Sequence, residues 1–212
     1  LVYPLSAVVV SGGHTELIYM KAPGYFEVIG ETREDAVGEA YDKVARKLNM
    51  PYPGGPHIDY LAKQGKATYS LPRAWLEEGS LDFSFSGLKS AVINLMHNLE
   101  QKNEPISPEN MAASFQESVL DVLIQKTEQA LERYSVNHLI VAGGVAANLG
   151  LRAKLEKLKK RKGIQISIPP LALCTDNAAM IGAAGYVAYQ NGVRAGMDCN
   201  AEPGLNLDDF SS

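Results

Sequence analysis

The hydrophobic and polar positions fall into short strands first and longer helices later. Ser6-Ala-Val-Val-Val-Ser11 is β-branched and apolar and is bounded by Gly12-Gly13, which predicts a buried strand entering a tight turn. Residues His14–Met20 and Tyr25–Gly30 predict two further strands, and the three together form an antiparallel meander. From Glu34 to Leu48 the period becomes helical, with Val37, Tyr41, Val44, Ala45 and Leu48 on one face. Pro51-Tyr-Pro-Gly-Gly-Pro56 predicts a loop of restricted geometry, followed by a helix from about His57 to Gln64. Asp82–Ser86 alternates like a short strand, and an apolar helix then reaches about Glu100. After the polar link Gln101–Pro108 the pattern predicts a long helix, about Pro108–Tyr134. Strand His138–Ala142, helix Ala146–Lys159, strand Gln165–Ile168 and helix Thr175–Tyr189 complete it. No internal repeat or low-complexity segment is visible.

A strand meander followed by alternating βα units predicts an α/β fold: a mixed sheet with helices on its faces. The order fits one lobe of the ribonuclease-H-like, actin-type ATPase architecture.

Composition narrows the classes. The 212 residues are 46% hydrophobic and 21% charged, with a net charge of −4, an ordinary globular balance. The apolar runs, such as Ala7–Val10 and Leu171–Cys174, fall far short of the ~20 residues of a membrane span. Cys174 and Cys199 give neither a disulfide framework nor zinc-knuckle spacing, so a cytoplasmic location is expected. The acidic balance argues against gripping nucleic acid by bulk charge. The chain opens on Leu1 and enters a strand almost at once, which reads as a piece of something longer.

Several motifs can carry chemistry. In Val10-Ser-Gly-Gly-His-Thr15, paired glycines let backbone N–H groups converge on an anion, though a plain hairpin turn uses the same residues. Gly143-Gly-Val-Ala-Ala-Asn148 follows a strand and opens a helix, the geometry in which glycines and a helix N-terminus hold a nucleotide. It lacks the third glycine of the dinucleotide fingerprint and the Gly-Lys-Ser/Thr ending of a P-loop. Thr175 or Asp176 is expected to cap the last helix, and Asp176 is also placed to face a metal or substrate. Asp42 lies beside an apolar helical stripe, where a carboxylate can meet a ribose diol. The four histidines form no His-x-x-x-His or His-Glu-x-x-His pair. Lys157-Leu-Lys-Lys-Arg-Lys162 is either a solvated helix end or a phosphate-backbone contact.

Together these motifs, with Gly30-Glu-Thr32, Asp35-Ala-Val-Gly-Glu-Ala-Tyr-Asp-Lys43, Tyr52-Pro-Gly-Gly-Pro56, Asp82-Phe-Ser-Phe-Ser-Gly-Leu-Lys89 and Cys174-Thr-Asp-Asn-Ala-Ala-Met180, resemble the bacterial TsaD family, formerly labelled O-sialoglycoprotein endopeptidase. The resemblance covers essentially the whole chain. It implies transfer of a threonylcarbamoyl group from threonylcarbamoyl-AMP to N6 of adenosine 37 in tRNAs reading ANN codons. It also implies that Val9, Val10, Ser11, Gly12 and Gly13 line the phosphate and acyl end of the adenylate. Asp42, Gly55 and Asp59 would hold the ribose side and Asn148 the adenine side. Asp176 would be a ligand of one divalent metal per subunit, Fe2+ or else Zn2+. The partners implied are tRNA, the inactive paralogue TsaB and the ATPase TsaE, with no membrane. The motifs give the old protease label no support.

The family's His-x-x-x-His metal pair and its first phosphate loop are absent from this sequence. The chain is therefore read as the C-terminal portion of an actin-like (ASKHA) fold over 1–212, with the N-terminal lobe largely missing. A family-specific helical insertion is expected at about 34–105. As such it is expected to be an incomplete, inactive part of the transferase. The alternative is a non-catalytic nucleotide-binding partner subunit of the same fold.

Overall fold

A computed structural model describes residues 1–201 and residue 207. The part of the expected 1–212 unit that falls on 202–206 and 208–212 lies outside the described residues. The main sheet has five strands: β1 (Leu5–Val10), β2 (Thr15–Met20), β3 (Glu27–Gly30), β6 (His138–Ala142) and β7 (Gln165–Ser167). Their spatial order is β3-β2-β1-β6-β7. β1 pairs antiparallel with β2, which pairs antiparallel with β3. On its other side β1 runs parallel to β6, and β6 parallel to β7. This mixed order is the ribonuclease-H-like topology expected from the sequence. β1 is apolar at nearly every position because it is the central strand and is covered on both faces. Its buried Ser6 hydroxyl donates to the Ile18 carbonyl.

A second, two-stranded ladder pairs β4 (Thr32–Glu34) with β5 (Phe83–Ser84) in parallel. β4 carries no alternating apolar pattern, so its strand character comes from the partner and not from local propensity. The ladder seats the buried rings of Phe83 and Phe85 in the core.

The helices are α1 (Val37–Lys47), α2 (Gly54–Ala62), α3 (Ser86–Gln101), α4 (Pro108–Arg133), α5 (Leu149–Lys162) and α6 (Ala178–Gln190). α4 is the spine. It packs on α2, α3 and α5 and touches β1. Met111, Phe115, Val119, Val122 and Leu123 are fully or almost fully buried along it. Phe115 meets the Tyr41 ring of α1 edge-on, with centroids 5.1 Å apart. Ser107 caps α4 by accepting from Asn110 N, and Pro108 occupies the first turn, where its missing N–H is harmless.

Two helix starts differ from the sequence expectation. The helix expected from Ala146 is a 3-10 turn over Gly144–Ala147, and α5 begins only at Leu149. Asn148 lies between them with extended backbone and caps α5 through Leu151 N. The last helix is capped by Asn177, whose side chain accepts from Met180 N, and not by Thr175 or Asp176. In both places an amide side chain outcompetes its neighbours by reaching the third residue ahead. α6 is apolar, yet none of its residues is buried and no described element covers it. Among the described residues no helix is long and apolar enough to cross a membrane.

α4 and α5 are braced by charge. Asp121 accepts from Arg73 at 2.6 Å and from Lys154 at 2.6 Å. Partial burial pushes its carboxyl up, but the hydrogen bonds and charges of Lys154 and Arg73 outweigh this and hold it below the ordinary carboxylate value. The end of the basic run on α5 is drawn into the same interface, while Lys160 pairs within its own helix. Arg161 and Lys162 pair with Glu128, Lys162 also with Glu132, and Lys160 with Glu156. These pairs favour the structural reading of the run over a phosphate-backbone contact.

Two outcomes follow for stability. Gly143 has φ +92°, and a Cβ there would stand 2.3 Å from the Val10 carbonyl oxygen, whereas the neighbouring Gly144 faces open space. Gly143→Ala should therefore lower unfolding free energy by about 2 kcal/mol or more, and Gly144→Ala by no more than about 0.5 kcal/mol. Urea denaturation of both variants checks this. Because Asp121 has a depressed pKa when folded, its contribution is present above the unfolded value of about 4 and is lost as pH falls through the folded value. Asp121→Asn should flatten the fall in urea midpoint between about pH 5 and pH 2.

Candidate functional site

The parallel pairing of β1 with β6 brings two glycine turns out at the same end of the sheet. The first is the turn after β1. Ser11 N donates to His14 O at 2.8 Å, and His14 N donates to Ser11 Oγ at 3.0 Å, which closes the turn on itself. Gly12 and Gly13 are exposed, with open space where a Cβ would project, and no described residue accepts from their N–H groups. The turn is held from behind by α1. Gly38 N donates to Ser11 O, and a Cβ on Gly38 would lie 2.5 Å from that oxygen. Only glycine permits this approach. Thr15 Oγ1 accepts from Val37 N at 2.8 Å, a second tie between α1 and the hairpin.

The second turn, Gly143-Gly144, follows β6. Gly143 is pressed on the carbonyl of Val10, so the two turns are in direct contact. Between them and the segment 168–176 opens a cleft of about 1110 Å3. Val9, Ser11, Gly12 and His14 line one wall, Gly143 and Gly144 the floor, and Cys174, Thr175 and Asp176 the opposite wall. Tyr52, 82% exposed, stands at its edge. The cleft thus unites three of the residues expected at the phosphate end with Asp176. The Asp176 carboxylate is exposed and engages no hydrogen bond or ion pair among the described residues. Val10 and Gly13 belong to the same turn, but Val10 is buried in the strand end and Gly13 stands just outside the lining.

The remaining expected residues lie elsewhere, in two arrangements. Asp42 Oδ1 accepts from Gly54 N at 2.7 Å and braces the start of α2. Gly55, next to it, has open space above its backbone. Asp59 and Asn148 instead belong to a buried polar network whose hub is Gln116 of α4. Asn148 Nδ2 donates to Gln116 Oε1 at 2.8 Å, and Tyr41 donates its hydroxyl to the same oxygen at 3.2 Å. Gln116 Nε2 donates to Asp59 Oδ1 at 3.1 Å. Asp59 also accepts from Leu149 N at 3.1 Å and Gly150 N at 3.3 Å. The first three amides of α5 are therefore satisfied inside the protein, by Asp59 and by Asn148. Burial, and then the charge of Asp59, hold the Tyr41 phenol above its usual range, so it stays a donor.

Gln116 is not singled out by the sequence reading. Its signal is a polar side chain on the buried face of a long helix, where an amide needs partners. A third cluster, equally unforeseen, joins Asp35 to Lys43 at 2.6 Å and Lys89 at 2.8 Å. Asp35 has φ +36°, a strained value for a residue with a side chain. Partial burial pushes its carboxyl up, while the two lysines bring it below the ordinary range. The pair of cations pins the loop that enters α1, and so the helix that supports the first turn.

Among the described residues no group of three or more His, Cys, Asp or Glu side chains is gathered to hold a metal ion. The cleft offers a free backbone donor on one wall and a free carboxylate on the other. If the Gln116 network positions the second turn, Gln116→Leu leaves Asp59 and Asn148 short of a partner each. It should lower unfolding free energy by about 1–3 kcal/mol in a denaturant titration.

The TsaD family, described as tRNA N6-adenosine threonylcarbamoyltransferase, matches residues 2–183. A curated relative from Bacillus licheniformis with that name is 65% identical over 209 residues, covering 98% of this chain and 61% of its own length. Relatives of the same name from Anoxybacillus flavithermus and Bacillus cereus are 66% identical over 206 residues and 64% identical over 207. Each match covers 97% of this chain and 60% of the relative. The chain thus spans about three-fifths of the length of the curated relatives it matches. Among solved structures, full-length HypF in a phosphate- and nucleotide-bound form superposes with a TM-score of 0.68 at 11% identity, over 90% of this chain and 34% of that one. HypF from T. kodakarensis gives 0.56 at 18% identity, over 74% and 20%. At such identities these two share the fold alone. The family match over nearly all of β1 to α6, with relatives of about two-thirds identity, is decisive: the chain belongs to the TsaD family of tRNA N6-adenosine threonylcarbamoyltransferases.

Proposed function

We propose that the chain supplies the nucleotide cleft of a threonylcarbamoyltransferase acting on tRNA. The acyl donor is threonylcarbamoyl-AMP, and the acceptor is N6 of adenosine 37 in tRNAs reading ANN codons. The observation that carries this reading is the cleft itself. In a chain of this family, it sets the unpaired amide of Gly12 opposite the unpaired carboxylate of Asp176, with Gly13 next in the same turn. In the reaction the exocyclic amine attacks the carbonyl carbon of the mixed anhydride. A C–N bond forms, the bond from that carbon to the phosphate oxygen breaks, and AMP and one proton leave. Donors on the Val9–Gly13 turn meet the negative charge that grows on the phosphate and the carbonyl oxygen. No covalent enzyme intermediate is required.

The ribose side is assigned to Asp42 and Gly55. Asp42 keeps one oxygen free of protein donors, and Gly55 offers open backbone. Asp59 is assigned to the ribose side and Asn148 to the adenine side, both acting from behind through the shape of the α5 start that they fix. Asp176 is assigned as a metal ligand, with Fe2+ or Zn2+ the ions of choice. The described residues do not by themselves build a metal site, since no three His, Cys, Asp or Glu side chains gather among them. The other ligands would come from outside these residues. Residues 31–137 carry four helices where a parallel crossover from β3 to β6 requires one. This supports a helical insertion over about 34–105. TsaB and TsaE as partners and the cytoplasm as location rest on the family resemblance.

The test is threonine incorporation into an ANN-reading tRNA by the full-length protein with its partners. Wild type should transfer the label. Asp176→Ala should lose activity by about a hundredfold or more with an unchanged melting temperature. Near-normal turnover in that variant removes Asp176 from the mechanism.

A further inference from the structure

Arg152 lies in the first turn of α5, behind the cleft and outside its lining. Its Nε donates to the Ala146 carbonyl at 2.8 Å. Its Nη2 donates to the Pro169 carbonyl at 2.8 Å and reaches Cys174 Sγ at 3.3 Å. These two nitrogens lie on one edge of the rigid guanidinium plane. One acceptor belongs to the turn that carries Gly143 and Gly144. The other two belong to the segment that ends in Thr175 and Asp176. Among the described residues Arg152 makes no ion pair. Its charge is met only by neutral acceptors, in contrast to Arg73 and Arg161, which sit on carboxylates. Cys174 is buried, and its sulfur lies 3.7 Å from Pro169 O and 3.5 Å from Pro170 O. The segment 169–174 thus folds around the guanidinium. It contributes a 3-10 turn over Leu171–Leu173 but no buried residue of its own other than Cys174.

We propose that Arg152 is a positioning residue that sets the separation of the two cleft walls, holding the Asp176 segment against the Gly143–Asn148 turn. This rests on the reading of the cleft as the adenylate site. A lysine keeps the charge, but its donors radiate from one nitrogen on a flexible stem, so it cannot hold the Ala146 and Pro169 carbonyls at the fixed spacing that the guanidinium edge sets. The uncompensated charge also lies behind a wall that would face an anionic ligand, which favours binding of the adenylate phosphate.

The experiment uses the full-length protein, with AMP binding by calorimetry and transfer kinetics as separate readouts. Arg152→Lys should weaken AMP binding about fivefold and lower kcat about tenfold or more, with KM for tRNA little changed. In an Asp176→Ala background the same substitution should add no further loss of transfer, because the wall it positions no longer carries its carboxylate. Unchanged AMP affinity, or losses that add independently, overturns the proposal. If Arg152→Lys fails to fold, Cys174 decides. Cys174→Ser keeps an acceptor for the guanidinium and should retain more AMP affinity than Cys174→Ala. The reverse order, expected if the sulfur only fills space, overturns the proposal. A wild-type protein that binds AMP but transfers nothing refutes the transferase reading and leaves the AMP comparison as the test of Arg152.

Discussion

The close approach of two chain turns at one end of the sheet is the constraint on which the rest depends. β1 and β6 are parallel neighbours, so both strands release their glycine turns on the same side. Gly143, with positive φ, rests on the carbonyl of Val10 at a distance that no side chain could tolerate. That contact sets the floor of the cleft. Everything behind it maintains it: Gly38 lets α1 reach the Ser11 carbonyl, and Thr15 receives the Val37 amide. The lysines on Asp35 hold the entrance to α1.

A second level of organisation is polar and buried. Gln116, Asp59, Asn148 and Tyr41 come from four different helices or their caps and satisfy one another with little exposure to water. In a low-dielectric interior such a network is rigid because each missing partner leaves a group desolvated and unpaired. Its consequence is specific. The first amides of α5 turn to Asp59 and Asn148, while the Gly12 amide faces the cleft without a partner among the described residues. The cleft is therefore asymmetric, with donors on one wall and a carboxylate on the other.

The strand meander, the long helix α4 and the alternating elements that follow it were legible in the sequence, since each has its own hydrophobic period. β6 coincides with its expected span. The short strand β4 was not legible, because its pairing with β5 joins residues about fifty positions apart and owes nothing to local pattern. The starts of the last two helices fell later than expected for a related reason. At Asn177 several polar residues stand in a row, and before Asn148 a 3-10 turn delays the helix, so each start depends on how the preceding loop is held.

By itself the sequence determined the order of elements, the two glycine turns and the family, because these depend on residue type and near-neighbour spacing. The partner of each polar side chain was decided by the tertiary structure. Asn148 finds Gln116 across 32 positions and Leu149 finds Asp59 across 90. Whether a carboxylate is free, like that of Asp176, or engaged on a helix terminus, like that of Asp59, depends on which backbone amides the fold carries to within hydrogen-bond reach of it. Long-range packing alone fixes that distance.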